Sequence, residues 1–352
     1  MYLINPQHQL PVFIPAAINR RYVMRNKLSI LSLATLIIIC ALVGCGQFGA
    51  VDIINPEDQV AIYEDDFIDL TDEMVPLTAA PAMFTVSMPT ASGTSVSKNE
   101  KAAIDYSNIK DGYVMVRYLK TVDKQLRVII KGPSAVQYTY TLKTNGDYEV
   151  YPLSDGNGSY TVSVYEQIEG TRYSTSNTVS FNATLTDEFA PFLRPNQYVN
   201  FKTDSKTVAK AAELVKDKTD LTDRISAIYN YVISNFTYDK VQAATVKSGY
   251  LPDVDAVLEK GKGICFDYAA VMTAMLRSQG IPTKLVIGYA GEAYHAWINV
   301  YSEDTGWINN VIFFDGKAWK LMDPTFASTA NQSSVVMTYI GDGKNYTTKF
   351  LY

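Results

Sequence analysis

A chain of 352 residues, 47% hydrophobic and 19% charged, has room for two ordinary domains plus tails and the composition of a folded globular protein, which excludes disorder throughout. The net charge is −5, and Arg20, Arg21, Arg25 and Lys27 precede residue 45 with no Asp or Glu among them. A chain trimmed there would stand at −9, a sign that argues against nucleic acid as a partner.

From Leu28 to Val51 no residue is charged, and the run is preceded by Met24-Arg25-Asn26-Lys27. A short basic segment before an apolar stretch has the form of an export signal. The run contains Leu42-Val43-Gly44-Cys45, which resembles a bacterial lipoprotein signal, in which a small residue precedes the cysteine that is acylated. The alternative is an uncleaved membrane anchor, since about 20 apolar residues span a bilayer. Either reading places the remainder outside the membrane. The expectation is a signal peptide over residues 1–44, with Met24 as the suspected true start, and Cys45 as the lipidation site.

Residues 45–104 mix acidic clusters (Glu64-Asp65-Asp66, Asp72-Glu73) with the small-residue stretch Pro89 to Ser95. This composition reads as a flexible tether. From 105 to 190 come short aromatic and β-branched runs: Gly112 to Tyr118, Leu126 to Lys131, Tyr138 to Lys143, Tyr148 to Pro152, Ser159 to Glu166 and Asn177 to Ala183. Such runs, separated by turn signals, predict strands of an immunoglobulin-like β-sandwich. Asn145-Gly146 is the signature of a two-residue hairpin. The many tyrosines could line a glycan-binding face.

After Pro191 and Pro195 the period changes. Val208, Ala211, Ala212 and Val215, and then Ile225, Ile228, Tyr229 and Val232, recur at i, i+3, i+4 and i+7, so two amphipathic helices are predicted. Thr222 is the expected N-cap of the second. Gly261-Lys262-Gly263-Ile264-Cys265 then passes into a helix that Gly280 and Pro282 end. Lys284 to Tyr289 and His295 to Tyr301 read as a hairpin, and Ala318 to Met322 as a strand that brings Asp323 to its end.

The chain holds three cysteines, Cys40, Cys45 and Cys265, and two histidines, His8 and His295. After export and processing, one thiol and one imidazole would remain. An odd cysteine in an oxidising setting is a candidate reactive thiol, and a helix N-terminus stabilises a thiolate. His295 follows Cys265 by 30 residues and Asp323 follows His295 by 28. This order suits a thiol, an imidazole that takes its proton, and a carboxylate that orients the ring. One His with one Cys cannot readily hold a catalytic zinc. No EF-hand loop implies calcium. No cofactor or metal is expected.

Gly263-Ile264-Cys265-Phe266-Asp267-Tyr268-Ala269, Leu276 to Pro282, Gly288-Tyr289, His295-Ala296-Trp297 and Asp323-Pro324-Thr325 resemble successive motifs of the transglutaminase-like superfamily. Tyr231-Val232 and Thr237-Tyr238-Asp239 resemble its approach to the core. The resemblance spans roughly residues 200 to 330. It implies an α+β fold with a papain-like core over 191–352, behind the all-β sandwich. Cys265 would be the nucleophile, His295 the general base and acid, and Asp323 the orienting group. The family chemistry is thiolate attack on an amide, giving a thioester that water (protease-like) or an amine (transglutaminase-like cross-linking) releases. The Cys265 N–H is the expected oxyanion donor, with Tyr238 as a second candidate. Trp297 could shield the site or simply pack, and Lys262 could be merely solvated. The expected protein is a lipid-anchored enzyme on the extracytoplasmic face of the cell membrane, hydrolysing peptides or proteins of the cell surface or wall. The alternative is a non-catalytic surface binding or adhesion lipoprotein that works through its sandwich.

Overall fold

A computed structural model describes residues 84–134, 136–303, 306–308, 313–314, 319–320 and 346–352. The expected signal peptide, Cys45, most of the expected tether and Asp323 lie outside the described residues. Among the described residues no helix is long and apolar enough to cross a membrane.

The N-terminal part is all β. Strands β1 (Val96–Lys98), β2 (Ala102–Asp105), β3 (Tyr113–Tyr118) and β6 (Glu149–Pro152) form one antiparallel sheet in the order β1-β2-β3-β6. Strands β4 (Leu126–Lys131), β5 (Gln137–Leu142), β7 (Gly158–Glu169) and β8 (Arg172–Ala183) form a second, in the order β5-β4-β7-β8. Alternate residues point to opposite sides of a strand, so Val128 and Ile130 sit in the core beside their register partners Tyr140, Val164, Tyr138 and Val162. Arg127 and Lys131 point away.

Two expectations need correction. The first sheet begins inside the stretch read as tether: Ala102, Ala103 and Ile104 are fully buried, and the Asp105 carboxylate accepts from the main-chain N–H of Gly93 at 2.8 Å and of Ser107 at 2.9 Å. Asn145-Gly146 does not close a two-residue hairpin. It lies between β5 and β6, which belong to different sheets. The local chemistry is nonetheless a turn, with Gly146 at φ 82° and the Asn145 side chain accepting from the Asp147 N–H. What the pattern left undetermined was the sheet to which the next strand goes.

The C-terminal part mixes helices and strands. Helix α1 (Lys206–Val215) and helix α2 (Leu221–Asn235) follow the predicted stripes. The N-cap of α2 is Asp220, whose carboxylate accepts from the Asp223 N–H at 3.1 Å; the expected Thr222 already lies inside the helix. Strand β9 (Thr237–Tyr238), helix α3 (Lys240–Thr245), helix α4 (Val254–Lys260) and strand β10 (Lys262–Gly263) lead to helix α5 (Cys265–Ser278). All fourteen residues of α5 are buried, as expected of a helix surrounded on every side. A hairpin of β11 (Thr283–Ala290) and β12 (Ala293–Ser302) follows. With β13 (Gly306–Ile308) and β16 (Tyr346–Leu351) it forms a sheet in the order β13-β12-β11-β16, so β16 is an edge strand from the region after 330. Strands β14 (Phe313–Phe314) and β15 (Trp319–Lys320) form a separate pair.

One apolar cluster runs through both parts. At their junction Tyr140 of β5 lies 5.6 Å from Tyr198 and 5.7 Å from Tyr352, and Tyr198 lies 5.5 Å from Phe266 of α5 (centroid distances). Arg277 closes the other end of α5. Its fully buried guanidinium donates to the main-chain oxygens of Thr283 (2.9 Å), Arg194 (2.7 Å) and Tyr352 (2.6 Å), and burial lowers its pKa to about 9.

Candidate active site

Cys265 is the first residue of α5, as the sequence predicts, and is 3% exposed. Ile264, in extended conformation, caps the helix. The first amides of a helix have no partner within it and carry the positive end of its dipole, so a thiolate here meets favourable electrostatics. The turn is held by Asp267, the third residue of α5, whose carboxylate folds back to accept from the Ile264 N–H at 2.8 Å. A Cβ on Gly263 would lie 2.5 Å from that of Asp267, so glycine at 263 is what lets the carboxylate reach back.

Asp267 also accepts from the Tyr250 hydroxyl at 2.5 Å and from Gln242 Nε2 at 2.9 Å. It is fully buried. Burial pushes its pKa up, against the pull of those three hydrogen bonds. The sequence alone points to no role for Asp267. An acidic residue at the third position of a helix is half of a capping box, and that signal could have found it. Tyr250 and Gln242 had no signal, because neither is near Asp267 in sequence.

Strand β9 pairs in parallel with β10, setting Tyr238 opposite Gly263. Tyr238, the proposed second oxyanion donor, therefore lies alongside the turn that precedes the nucleophile. Lys262 is not merely solvated: its ammonium lies 3.4 Å from Asp239, which also binds Lys260 at 3.0 Å. The Gln242 N–H and the two lysines depress Asp239 to a pKa of about 2.

His295 lies in β12 opposite Gly288 of β11 and is 6% exposed. By alternation it shares a face with Trp297 and Asn299. Ala296, Ile298 and Val300, on the opposite face, join the cluster that contains α5. The imidazole ring stacks near Trp297 (6.2 Å) and tilts toward Tyr346 of β16 (6.4 Å). Trp297 is fully buried. A Cβ on Gly288 would approach its ring within 2.8 Å, so the glycine makes room for the indole. Trp297 thus packs within the sheet.

Tyr294, which precedes His295 in β12, lies near enough to Cys265 for the two to interact electrostatically. Its hydroxyl pKa is raised, chiefly by burial, with smaller contributions from the neighbouring Tyr198, Tyr289 and Cys265. Tyr294, Phe266, Tyr250, Tyr198, Ile287 and Tyr352 line a slot of about 30 Å³, room for one or two water molecules. Helix α5 and β12 thus contribute Phe266 and Tyr294, the chain neighbours of Cys265 and His295, to one narrow space, while Cys265 and His295 are not themselves among its lining residues. Asp323 lies outside the described residues. Among those described, no cluster of His, Cys, Asp or Glu could hold a metal ion.

Residues 208–310 match the family model of the transglutaminase-like superfamily, the stretch that runs from within α1 through β13. That match supports placing this segment in the superfamily and suggests acyl transfer of the cysteine-protease or transglutaminase type. An uncharacterised protein of Bacillus subtilis (strain 168), YebA, is 30% identical over 118 residues, which are 28% of this chain and 16% of that protein. The chain thus spans about a sixth of that relative's length. Among solved structures, a candidate cysteine protease from Cytophaga hutchinsonii is 16% identical, covering 73% of each chain, with a TM-score of 0.34. The periplasmic domain of TgpA from Pseudomonas aeruginosa is 14% identical, covering 60% of this chain and 95% of that one, with a TM-score of 0.29.

Proposed function

We propose that the chain is a membrane-anchored, extracytoplasmic cysteine acyl-transfer enzyme acting on peptide or protein amides at the cell surface or wall. Cys265 is the nucleophile, His295 the general base and acid, and Asp323 the group that orients the imidazole. The observation that carries this reading is the place of Cys265: first residue of a fully buried helix, inside the segment that matches the superfamily model. Acylation of Cys45 would supply the anchor. The strand order of the two sheets supports an immunoglobulin-like class for the all-β part, since β3 and β6 pair across one sheet while β4 and β7 pair across the other.

In this mechanism the Cys265 sulfur, its proton taken by His295, attacks the amide carbonyl. The tetrahedral oxyanion is met by the Cys265 N–H, a donor already oriented by the helix. The amine leaves with the proton held on His295, and a thioester remains. Water, giving a proton to His295, then attacks the thioester, releasing the acid and restoring the thiol. A primary amine in place of water would give a cross-link. Hydrolysis is the favoured outcome because water is abundant outside the cell.

One observation favours a second reading, a binding lipoprotein with an idle core: Cys265 is only 3% exposed and does not line the nearby slot, which itself fits only one or two waters. Two measurements decide. Wild type and Cys265→Ala are incubated with peptide libraries, with and without a labelled amine. The enzymatic reading expects cleavage that the variant lacks, exceeding amine incorporation. It also expects Cys265 to react with iodoacetamide near neutral pH with an apparent pKa well below about 8.5. Slow alkylation of normal pKa, together with no difference between the two proteins, would establish the binding reading.

A further inference from the structure

The slot lined by Phe266, the residue after Cys265, does not end at the helix–sheet core. Thr141 of β5 and Gly249, which line it, also line a groove of about 500 Å³ that runs across one end of the second sheet. Its walls are β4 and the β7–β8 turn. From β4 come Lys124, Gln125 and Arg127, and from the other side Gln167 and Tyr173. The Arg127 guanidinium lies 4.6 Å over the Tyr173 ring, and the Tyr173 hydroxyl donates to Gln125 Oε1 at 3.0 Å. A stacked guanidinium is a pre-oriented fork of donors suited to a carboxylate. Lys124 is exposed, and Lys247 stands at the slot itself.

Among the described residues lining the slot and the groove there is no Asp or Glu. The acid that bears on Lys124 is Glu166, which is already engaged by the Lys101 ammonium at 2.5 Å and the Tyr118 hydroxyl at 2.9 Å. Past Leu251, on the other side of the slot, the sign reverses. A larger groove there is lined by five acids, Asp147, Glu149, Asp204, Asp253 and Asp255, against two lysines, Lys143 and Lys202. A polypeptide lying across the slot therefore meets cations without acids on one side and a net excess of carboxylates on the other.

We propose that the groove along β4 is a substrate subsite for an acidic polypeptide segment, so that the enzyme selects amides flanked on one side by Asp or Glu. This deepens the acyl-transfer reading and rests on it. It gives the all-β part a task in specificity, with Arg127 and Lys124 as the residues that set it.

The test uses Cys265→Ala and three fluorescein-labelled peptides of one length, rich in Glu, Ser or Lys, with binding read by fluorescence anisotropy at low and at 0.5 M salt. The Glu-rich peptide is expected to bind at least tenfold more tightly than the Lys-rich one, with the gap shrinking in high salt. Lys124→Glu, at an exposed position, should narrow the gap, and Lys124→Glu with Arg127→Glu should close or invert it. In the active protein the same changes should raise KM for an acidic peptide with little change in kcat. Equal binding of the Glu-rich and Lys-rich peptides, or a preference untouched by the double variant when its circular dichroism matches wild type, would overturn the proposal. Selective binding by a protein whose Cys265 proves unreactive would sink the enzymatic reading and leave the acidic-segment site standing.

Discussion

In the two-sheet region several strands bury mainly one side, although β2 is buried on both. Along the second half of β8, Val179, Phe181 and Ala183 pack against the core while Thr178, Ser180 and Asn182 are exposed. In the helix–sheet core, α5 buries everything it has, including Asp267, Thr273, Arg277 and Ser278. The first arrangement tolerates polar residues by facing them to water. The second must satisfy them internally, so each buried polar group becomes a point of leverage on stability and on the geometry of Cys265.

The largest effect should come where that leverage is greatest. Arg277→Ala removes three hydrogen bonds to main-chain oxygens and leaves buried acceptors without a donor, so it should destabilise the protein by about 4 kcal/mol. Urea unfolding measures it. Arg277→Lys, which keeps the charge but cannot reach all three oxygens, should recover part of the loss. A cost below about 1 kcal/mol would mean that the buried cation is dispensable and the contrast with the sheets is false.

In the two-sheet region the corresponding lever is volume. Ile130, 1% exposed between Tyr138 and Val162, leaves a cavity when cut back, and Ile130→Ala should cost about 3 kcal/mol. Because one apolar cluster spans both regions, the loss should appear in a single unfolding transition whether followed by tyrosine fluorescence or by helix circular dichroism. Two separated transitions would show that the regions fold independently.

A third change acts through pH. Asp239, depressed to a pKa of about 2 by the Gln242 N–H, Lys260 and Lys262, contributes stability that is complete above its ordinary value of 3.8 and is lost as pH falls toward 2. Asp239→Asn keeps a side chain that can cap α3 but has no such titration. The variant's melting temperature should therefore fall less than that of wild type between pH 4 and pH 2.5. Parallel slopes for the two proteins would remove Asp239 from the acid response.

The same contrast explains what the sequence disclosed. Strands such as Leu126–Lys131 were legible to the residue because half-buried alternation is a local pattern. The stripes of α1 and α2 were legible for the same reason, with the start of α2 misplaced onto Thr222 because Asp220 offers the same capping chemistry two residues earlier. Helix α5 has no stripe to read, and its start came instead from glycines and a cysteine in a recognisable order. Helices α3 and α4 were missed because they are short and lack a full apolar repeat. The early sheet at Val96–Asp105 was hidden by a small-residue stretch whose burial depends on strands far along the chain. Asp267 was visible as a residue and silent as a partner, since Tyr250 and Gln242 reach it only through the fold.

The smallest effect belongs to a cation on the surface. Lys101, 49% exposed, pairs with Glu166 at 2.5 Å, which raises its pKa through the hydrogen bond to that carboxylate. Water screens this pair, so Lys101→Ala should cost about 0.5 kcal/mol and less in high salt. Glu166 has a second task, accepting from the hydroxyl of Tyr118, a side chain 1% exposed. Glu166→Ala should therefore cost more than Lys101→Ala, because it strips a partner from a buried donor and not only from a solvated one. If the two variants were equal, the Tyr118 bond would count for nothing, and burial could not be what separates Arg277 from Lys101. A clear excess for Glu166→Ala would show that the rule governing α5 also operates within the sheets wherever a polar atom is carried inside.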